Sequence, residues 1–189
     1  MDIQGFFIRQ SGDIYDVDGA LKGTEQFHLT RQGIANNDFA HTHKFKGLLQ
    51  ANTILSVGDL VKVGTDNFLV MALRKIVFMN TNQANMWLCD SECSIYRLEN
   101  VYSGNIKTGV QEVPIKESIP CLYKDTNGRI KTYDAGLLES TIKVVYLQAL
   151  DVQLTDRLVL NGQNYQINSI DRTINNIMAI QLAEDKRDE

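Results

Sequence analysis

The residues best suited to bind a metal ion are three histidines and two cysteines: His28, His41, His43, Cys89 and Cys93. In an extended segment, His41-x-His43 points both rings to one side of the strand, which suits zinc. Cys89-x-x-x-Cys93, however, has no matching second pair. The sequence therefore favours surface histidines and buried free thiols over a metal site, and we expect no cofactor.

Patterns of enzyme active sites are missing from the sequence. Nucleophilic catalysis needs a Ser or Cys beside a base and an orienting acid, yet no Gly-x-Ser-x-Gly elbow occurs, and no Gly-rich phosphate-binding loop occurs either. Cys121 follows Pro120 at an expected strand start, where a thiol acts as a small buried hydrophobe. Asp13, Asp16 and Asp18 are spaced as in a calcium loop but lack its twelfth-position glutamate, so they predict an Asx turn. We expect a protein that is not an enzyme.

The composition is typical of a folded globular protein. The chain has 189 residues, of which 43% are hydrophobic and 22% charged, enough to bury one large core or two small ones. Its net charge of −4 argues against broad binding to nucleic acid or anionic membranes through overall charge. An odd cysteine count fits a reducing cytosol.

A small unit is repeated in the chain. Residues 59–70 align with residues 156–167 without a gap at an offset of 97, and 49–51 recur as 147–149, one residue out of step. The matched positions include Asp59/Asp156, Val61/Leu158, Val63/Leu160, Phe68/Tyr165 and Val70/Ile167. A duplicated β unit explains this pattern, and the alternative is a chance alignment of two hairpins.

The pattern within each repeat predicts β structure. Apolar residues alternate with period two across a Gly/Asx turn, which is typical of a hairpin with one buried face. Asn161-Gly162 suits a tight turn, and a further strand is expected at Ile76–Met79 with a loop from Asn80 to Asn85. Residues 10–13 are expected to form another turn. Helix signals are weak, so we predict an all-β protein of two small barrel-like or sandwich-like domains, related by duplication and with little helix.

Three segments follow from this interpretation. Residues 1–103 form an N-terminal β domain with an inserted polar loop at 30–44, and residues 121–189 form a C-terminal β-barrel domain. Residues 104–120 form a connector, since Pro114 and Pro120 interrupt regular structure there.

Two of the matched pairs in the repeat, the aspartates and the aromatic residues, are expected to have structural roles. Asp59 and Asp156 each precede a strand, where an aspartate caps a turn by bonding backbone amides. Phe68 and Tyr165 are expected in the core, because no Arg/Lys groove is interleaved with them to make a nucleobase platform.

The second half resembles a known family. Residues 155–171, Thr-Asp-Arg-Leu-Val-Leu-Asn-Gly-Gln-Asn-Tyr-Gln-Ile-Asn-Ser-Ile-Asp, followed by Ile-Gln-Leu-Ala-Glu-Asp at 180–185, are similar to the head–tail joining proteins of tailed bacteriophages. These are the head-closure (stopper) and adaptor proteins, with a D-R-hydrophobic-x-hydrophobic-x-G-x-x-Y-x-hydrophobic hairpin. The resemblance covers the segment from about Val113 to Arg187, and this chain is nearly twice as long as that family's members.

The resemblance implies a structural virion protein, assembled in the host cytoplasm and placed in the virion neck. Identical subunits would form a ring that joins the portal side to the tail and helps to retain DNA. The partners implied are identical subunits, adjacent portal, adaptor and tail proteins, and packaged DNA passing through the lumen without sequence-specific binding, but no membrane. An acidic lumen would let the DNA slide.

The inserted loop is the candidate interface within this picture. Long loops can change conformation when the next component docks. The residues expected to make such contacts are Arg31, Asn36, Asn37, Asp38, His41 and His43. The alternative is a tail-end, tail or host- or carbohydrate-binding accessory module, which should expose a cluster of Tyr or Trp side chains.

Overall fold

The computed structural model describes residues 9–31, 43–126 and 136–187. The chain divides into two compact units, Met1–Asp90 with Ile174–Ile177, and Ser91–Thr173 with Met178–Glu189. Each unit is built on a closed, six-stranded antiparallel β-barrel. The prediction of an all-β protein of two barrel-like domains with little helix is confirmed.

The first barrel has the strand order β1-β2-β3-β6-β5-β4. Pairing of β1 with β4, in which Ile14 lies opposite Val61, closes the ring. Its core contains both of these side chains together with Phe27, Phe68 and Met86. The strands are β1 (Arg9–Tyr15), β2 (Leu21–Arg31), β3 (Lys44–Gln50), β4 (Leu60–Val63), β5 (Asp66–Ile76) and β6 (Thr81–Cys89).

The second barrel has the strand order β7-β8-β9-β12-β11-β10. Pairing of β7 with β10, in which Ile95 lies opposite Leu158, closes this ring. Cys121 is fully buried in its core, as predicted for a small hydrophobe. The strands are β7 (Ser91–Ser103), β8 (Ile106–Asp125), β9 (Lys143–Gln148), β10 (Arg157–Leu160), β11 (Gln163–Asp171) and β12 (Ile177–Glu184).

The two barrels repeat the same topology in the same register. The β5–β6 ladder shifts between Val70 and Ala72, and the β11–β12 ladder shifts between Ile167 and Ser169, at the same offset as the sequence repeat. A bulge bends a strand and increases its twist, so both barrels curve at the same point. The repeated sequence therefore corresponds to a repeated three-dimensional unit.

The hairpin turns of the repeat differ in chemistry but not in length. Asn161 and Gly162 both have positive φ, 52° and 75°, as in the mirror-image turns that match strand twist. In the first barrel, Gly64 alone supplies the positive φ, 59°, between Val63 and Asp66. Both two-residue turns place the matched core residues on the inner face.

Gly12 is required by packing rather than by a turn. It lies inside β1, so the expected turn at residues 10–13 is wrong. A Cβ atom at Gly12 would lie 2.8 Å from Phe27 Cζ and 2.8 Å from Val61 Cγ1. The missing side chain makes room for the ring of Phe27, which is buried in the core of the barrel.

A Gly12→Ala substitution is expected to lower the free energy of unfolding of the first barrel by about 1–3 kcal/mol, because it overpacks the core. Gly109→Ala is the matched control. Gly109 is also in a strand, and a Cβ atom there would have no heavy atom within 4 Å, so its effect should stay within about 0.5 kcal/mol. Urea denaturation with hydrogen exchange resolved by barrel measures both. Equal effects of the two substitutions would contradict the packing argument.

The predicted segment boundaries are wrong. The first unit ends at Asp90, not at residue 103, and the expected connector 104–120 lies almost wholly within β8. Thr30 and Arg31, expected in the inserted loop 30–44, belong to β2, and Lys44 begins β3. In the rest of that loop, residues 32–42 lie outside the described residues, and His43 is described.

The prolines did not mark a linker because, among the described residues, no strand pairs with one side of β8 over most of its length. Pro114 and Pro120 lie opposite Tyr96 and Glu92 of β7. On its other side, β8 pairs with β9 only from Leu122 to Asp125. A strand tolerates proline where the missing N–H would face no neighbouring strand, so both prolines fit within β8.

The expected strand at Ile76–Met79 is also wrong in part. β5 ends at Ile76, and Val77–Met79 form a short 3-10 turn that is completed by Asn80 with φ 45°. The expected loop Asn80–Asn85 is mostly β6, which begins at Thr81. Three apolar side chains are thereby placed at the tip of a hairpin.

Candidate interaction surfaces

Of the six predicted interface residues, only Arg31 and His43 lie in the described part of the chain. Arg31 is exposed at the end of β2, opposite Phe45. The His43 ring Nε2 lies 2.9 Å from a carboxylate oxygen of Asp90. Asn36, Asn37, Asp38 and His41 lie outside the described residues, so the loop stays a prediction.

The histidines and cysteines that the structure describes are distributed over both barrels. Cys89, Cys93 and Cys121 are buried, as the sequence suggested, and none of them is in a disulfide in the described part of the chain. His28 lies on β2 opposite Leu48. Within 9–31, 43–126 and 136–187, no three His, Cys, Asp or Glu side chains are grouped as metal ligands.

The repeated aspartates cap equivalent turns, as predicted. Asp59 Oδ2 accepts a hydrogen bond from the Ser56 backbone amide at 2.7 Å. Asp156 Oδ2 accepts one from the Gln153 amide at 2.8 Å. Both carboxylates are buried. The sequence predicted these amide bonds but not the cations that accompany them.

Each buried aspartate pairs with a cation from a different strand. Lys22 Nζ of β2 lies 2.7 Å from Asp59 Oδ2. Arg97 Nε of β7 lies 3.1 Å from Asp156 Oδ1, and the bond to Asp156 is the main cause of the raised pKa of Arg97. A buried carboxylate needs such compensation for its lost hydration.

A second charged cluster surrounds Arg157. Its side chain, 5% exposed, donates to Asp185 at 2.8 Å through Nε and bonds Glu112 through Nη1. Arg187 donates to both oxygens of Asp185, at 2.8 Å each. Bonds from Arg187 and then Arg157 hold the pKa of the Asp185 carboxyl far below its usual range, against the effect of burial. The cluster ties β8, β10 and the residues after β12 together.

A two-stranded hairpin extends from the second barrel. We call it the arm: residues 98–112, the end of β7 and the start of β8, paired from Leu98 opposite Glu112 to Ser103 opposite Ile106. On β7, the residues that pair with β10 run from Cys93 to Tyr96 and stop before the arm. Neither neighbouring strand pairs with the arm in the described part of the chain, so both of its edges are open.

The arm exposes apolar side chains. The exposed large apolar residues on it are Val101, Tyr102, Ile106 and Val110. Isolated two-stranded hairpins are marginally stable in water, and open edges are templates for pairing with another chain. The arm therefore has the properties of a contact element.

A groove lies at the base of the arm. Its apolar wall consists of Leu98 and Val110 on the arm and Leu154 in the loop before β10. Arg157 and Gln166 line the barrel side, and the groove volume is about 960 Å³. The Arg157–Glu112 ion pair joins the arm to the barrel at the groove.

The first barrel carries a separate apolar feature, which we call the knob: Val77, Phe78 and Met79. Their exposed fractions are 80%, 88% and 54%. The knob tops the β5–β6 hairpin, whose paired residues continue to Ile76 opposite Thr81. Contiguous apolar side chains with this exposure are rare on the surface of a monomeric protein and usually belong to an interaction surface.

Sequence reasoning missed both the arm and the knob. Gly104-Asn105 between two β-prone segments is a two-residue hairpin signal, and Gly104 has φ 64°. The apolar run 76–79 lacks the polar alternation of a half-buried strand. These signals are present in the sequence but were outweighed by the prolines and by β-propensity.

The fold defines the chain as a tandem antiparallel β-barrel protein with protruding hairpins. The sequence matches no protein-family model and no curated protein. Across the described ranges, no helix has the length and apolar character needed to cross a membrane.

Proposed function

We propose that this chain is a non-enzymatic structural subunit of a tailed bacteriophage, a ring-forming connector in the neck between head and tail. Identical subunits surround the DNA exit channel, bind portal-side and tail proteins, and help to retain the packaged DNA. DNA passes through the lumen without sequence-specific contacts.

The observation that carries this proposal is the apolar surface on two hairpin ends. Phe78 is 88% exposed on one unit, and Tyr102 and Ile106 are exposed on the other. Each hairpin is attached to a closed barrel with its own buried core. Rigid bodies with different adhesive surfaces can repeat one contact around a ring. The resemblance of residues 155–171 to head–tail joining proteins supports the neck as the place of that ring.

The carbohydrate-binding alternative has weaker support. It calls for a cluster of exposed aromatic rings within a unit, but among the described residues each unit exposes only one, Phe78 in the first and Tyr102 in the second. Trp87 is only partly exposed and lies under Lys44, with Nζ 5.6 Å from the ring centroid.

Shortening the arm is expected to abolish assembly while leaving the barrel folded. Deleting residues 99–102 and 107–111 keeps the Gly104-Asn105 turn and restores the register of Leu98 opposite Glu112 and Ser103 opposite Ile106. Electron microscopy should show rings for the unaltered chain, free or in phage necks, and single subunits for the shortened one. Hydrogen exchange of β9–β12 checks that the second barrel is intact.

Two results would contradict the proposal. An unaltered chain that stays monomeric at every concentration and is missing from purified virions removes the connector function. A ring whose lumen is strongly basic contradicts free sliding of DNA, since Lys and Arg there would bind the phosphates.

A further inference from the structure

We infer that the outer wall of the first barrel binds an acidic segment of a partner protein. One apolar side chain of the segment enters a hollow in this wall, and carboxylates of the segment pair with cations beside the hollow. Within the proposed function, on which only this last step rests, the segment belongs to an adjacent portal-side or tail protein.

A row of side chains crosses five neighbouring strands of the first barrel, in the order β1, β2, β3, β6 and β5. Each member lies opposite the next in the strand pairing: Arg9, His28, Leu48, Gln83 and Arg74. Next to them in sequence, Phe27, Leu49 and Ala84 are buried in the core. Because adjacent residues of a strand point to opposite sides of the sheet, the row lies on the outer wall.

This wall carries cations without neighbouring carboxylates. Arg9 and Arg74, at the two ends of the row, are exposed, and Arg74 Nε donates to the neutral Gln83 Oε1 at 2.6 Å. Lys46 lies in the next row, opposite Asn85. Among the described residues, the ion pairs include none of these three cations. In a chain with a net charge of −4, such a surface favours a partner of opposite charge.

The hollow lies beside Arg9 and has a volume of about 280 Å³. Leu48 and Met79 of the knob provide apolar lining, and no described carboxylate lines it. Pockets that enclose whole small ligands measure about 300–1,000 Å³, so the hollow suits one apolar side chain better than a cofactor.

A buried hydroxyl in the hollow also points to a ligand. Thr81 Oγ1 is buried and has no hydrogen-bond partner among the described residues, and Thr81 lines the hollow. Buried polar groups are normally hydrogen-bonded. A hydroxyl can donate to a backbone carbonyl, which a bound peptide segment supplies.

The combination of charge and apolar surface favours a protein segment over nucleic acid. A DNA backbone offers phosphates to Arg9 and Arg74 but no apolar side chain to cover Leu48 and Met79. Neighbouring strands are about 4.8 Å apart, so the row measures about 19 Å, and six extended residues at about 3.3 Å each span that length.

The position of Lys46 favours a protein segment over a membrane. Lys46 lies opposite Asn85, four residues beyond the start of β6 at Thr81. It is therefore about 13 Å along the strands from the hairpin end that carries the knob. A membrane that met the knob end-on would not reach this cation, whereas a segment lying along the wall would.

Fluorescence anisotropy with a labelled peptide and the full chain at low salt tests the site. The probe is Asp-Glu-Phe-Ser-Glu-Asp. One control peptide has Gly in place of Phe, and the other has amides in place of all the carboxylates. We expect the probe to bind at least tenfold more tightly than either control, because both the apolar side chain and the charges contribute.

Substitutions in the chain locate the binding. Arg74→Glu should weaken binding of the probe at least tenfold, whereas Lys62→Glu, at an exposed lysine of β4 outside the row, should change it less than threefold. Thr81→Val, which keeps the shape of the side chain, should weaken it about two- to tenfold through one lost hydrogen bond. Hydrogen exchange of β1–β6 checks that the first barrel stays folded.

Several results would overturn the site. These are a probe that does not bind, and equal binding by the Arg74→Glu and Lys62→Glu chains. Tighter Arg74-dependent binding of a short DNA duplex or of phosphatidylserine vesicles would assign the wall to nucleic acid or to a membrane. Self-association that Arg74→Glu weakens would assign it to a second copy, and at least tenfold tighter probe binding after removal of residues 1–8 would assign it to that segment.

The site and the connector function fail separately. Rings in phage necks without binding of the probe would overturn the site and leave the connector function intact. Probe binding with the expected response to Arg74→Glu, by a chain that is missing from virions, would support the site and remove the connector function.

Discussion

An Asp156→Ala variant should lower the free energy of unfolding of the second barrel by about 2 kcal/mol, the usual worth of hydrogen bonds to a charged group. Asp156 is fully buried, accepts the Gln153 amide and compensates Arg97. The substitution leaves that amide without its partner and Arg97 without its nearest carboxylate. Urea denaturation followed by hydrogen exchange of β9–β12 measures the loss.

Two further substitutions test whether burial causes the effect. Asp59→Ala removes the equivalent carboxylate and should destabilise the first barrel by a similar amount, which the fluorescence of Trp87, the single tryptophan, can follow. Asp151→Ala removes the other carboxylate near Arg97, 3.6 Å away and 86% exposed, and should cost less than about 1 kcal/mol. If Asp151→Ala and Asp156→Ala had equal effects, the argument from burial would be wrong.

The repeated core could be predicted because it follows local patterns. Val61 and Phe68, like Leu158 and Tyr165, are apolar positions at matching distances from a short Gly/Asx turn. This local pattern is sufficient to predict a hairpin. The aspartate caps were equally local, since Asp156 bonds an amide three residues earlier. Such features depend on neighbours in sequence, which a pattern records.

Barrel closure and charge pairing could not be predicted in the same way. The β1–β4 pairing places Ile14 opposite Val61. The alternation of apolar residues within a strand does not indicate which other strand it pairs with. Lys22 and Arg97 reach the repeated aspartates from non-equivalent strands, β2 and β7, so the repeat gave no sign of them. Long-range pairing of strands is set by the whole fold.

The arm was missed because a rule that holds for central strands was applied to a strand with one unpaired side. Proline does disfavour a central strand, and this rule placed a connector at Pro114 and Pro120. In the described part of the chain, however, no strand pairs with one side of β8 over most of its length, and there the rule does not hold. Because Ile106 and Val110, two of the exposed apolar residues of the arm, lie in the same stretch, the error concealed part of the surface that matters most for the proposed function.

The stability of the second barrel should fall with acid because of Asp185. The pKa of this carboxyl is lower in the folded chain than in the unfolded chain, through its bonds to Arg187 and Arg157. The unfolded chain therefore binds the proton more tightly, and the contribution of Asp185 is complete above the unfolded pKa of about 3.9 and is lost as the pH falls below it. The barrel should unfold more easily at pH 3 than at pH 7.

An Asp185→Asn variant should lose about 3 kcal/mol at pH 7, because Arg157 keeps only Glu112 as a partner while buried. The difference from the unaltered chain should narrow between about pH 4 and pH 2, since protonation removes the same charge from the unaltered carboxyl. Asp125→Asn is the control: this carboxylate pairs with Lys143 but is 71% exposed, so its effect should stay below about 1 kcal/mol. Urea denaturation at each pH gives both differences. A difference between Asp185→Asn and the unaltered chain that is constant with pH would mean that the charge of Asp185 does not hold the arm base to the barrel.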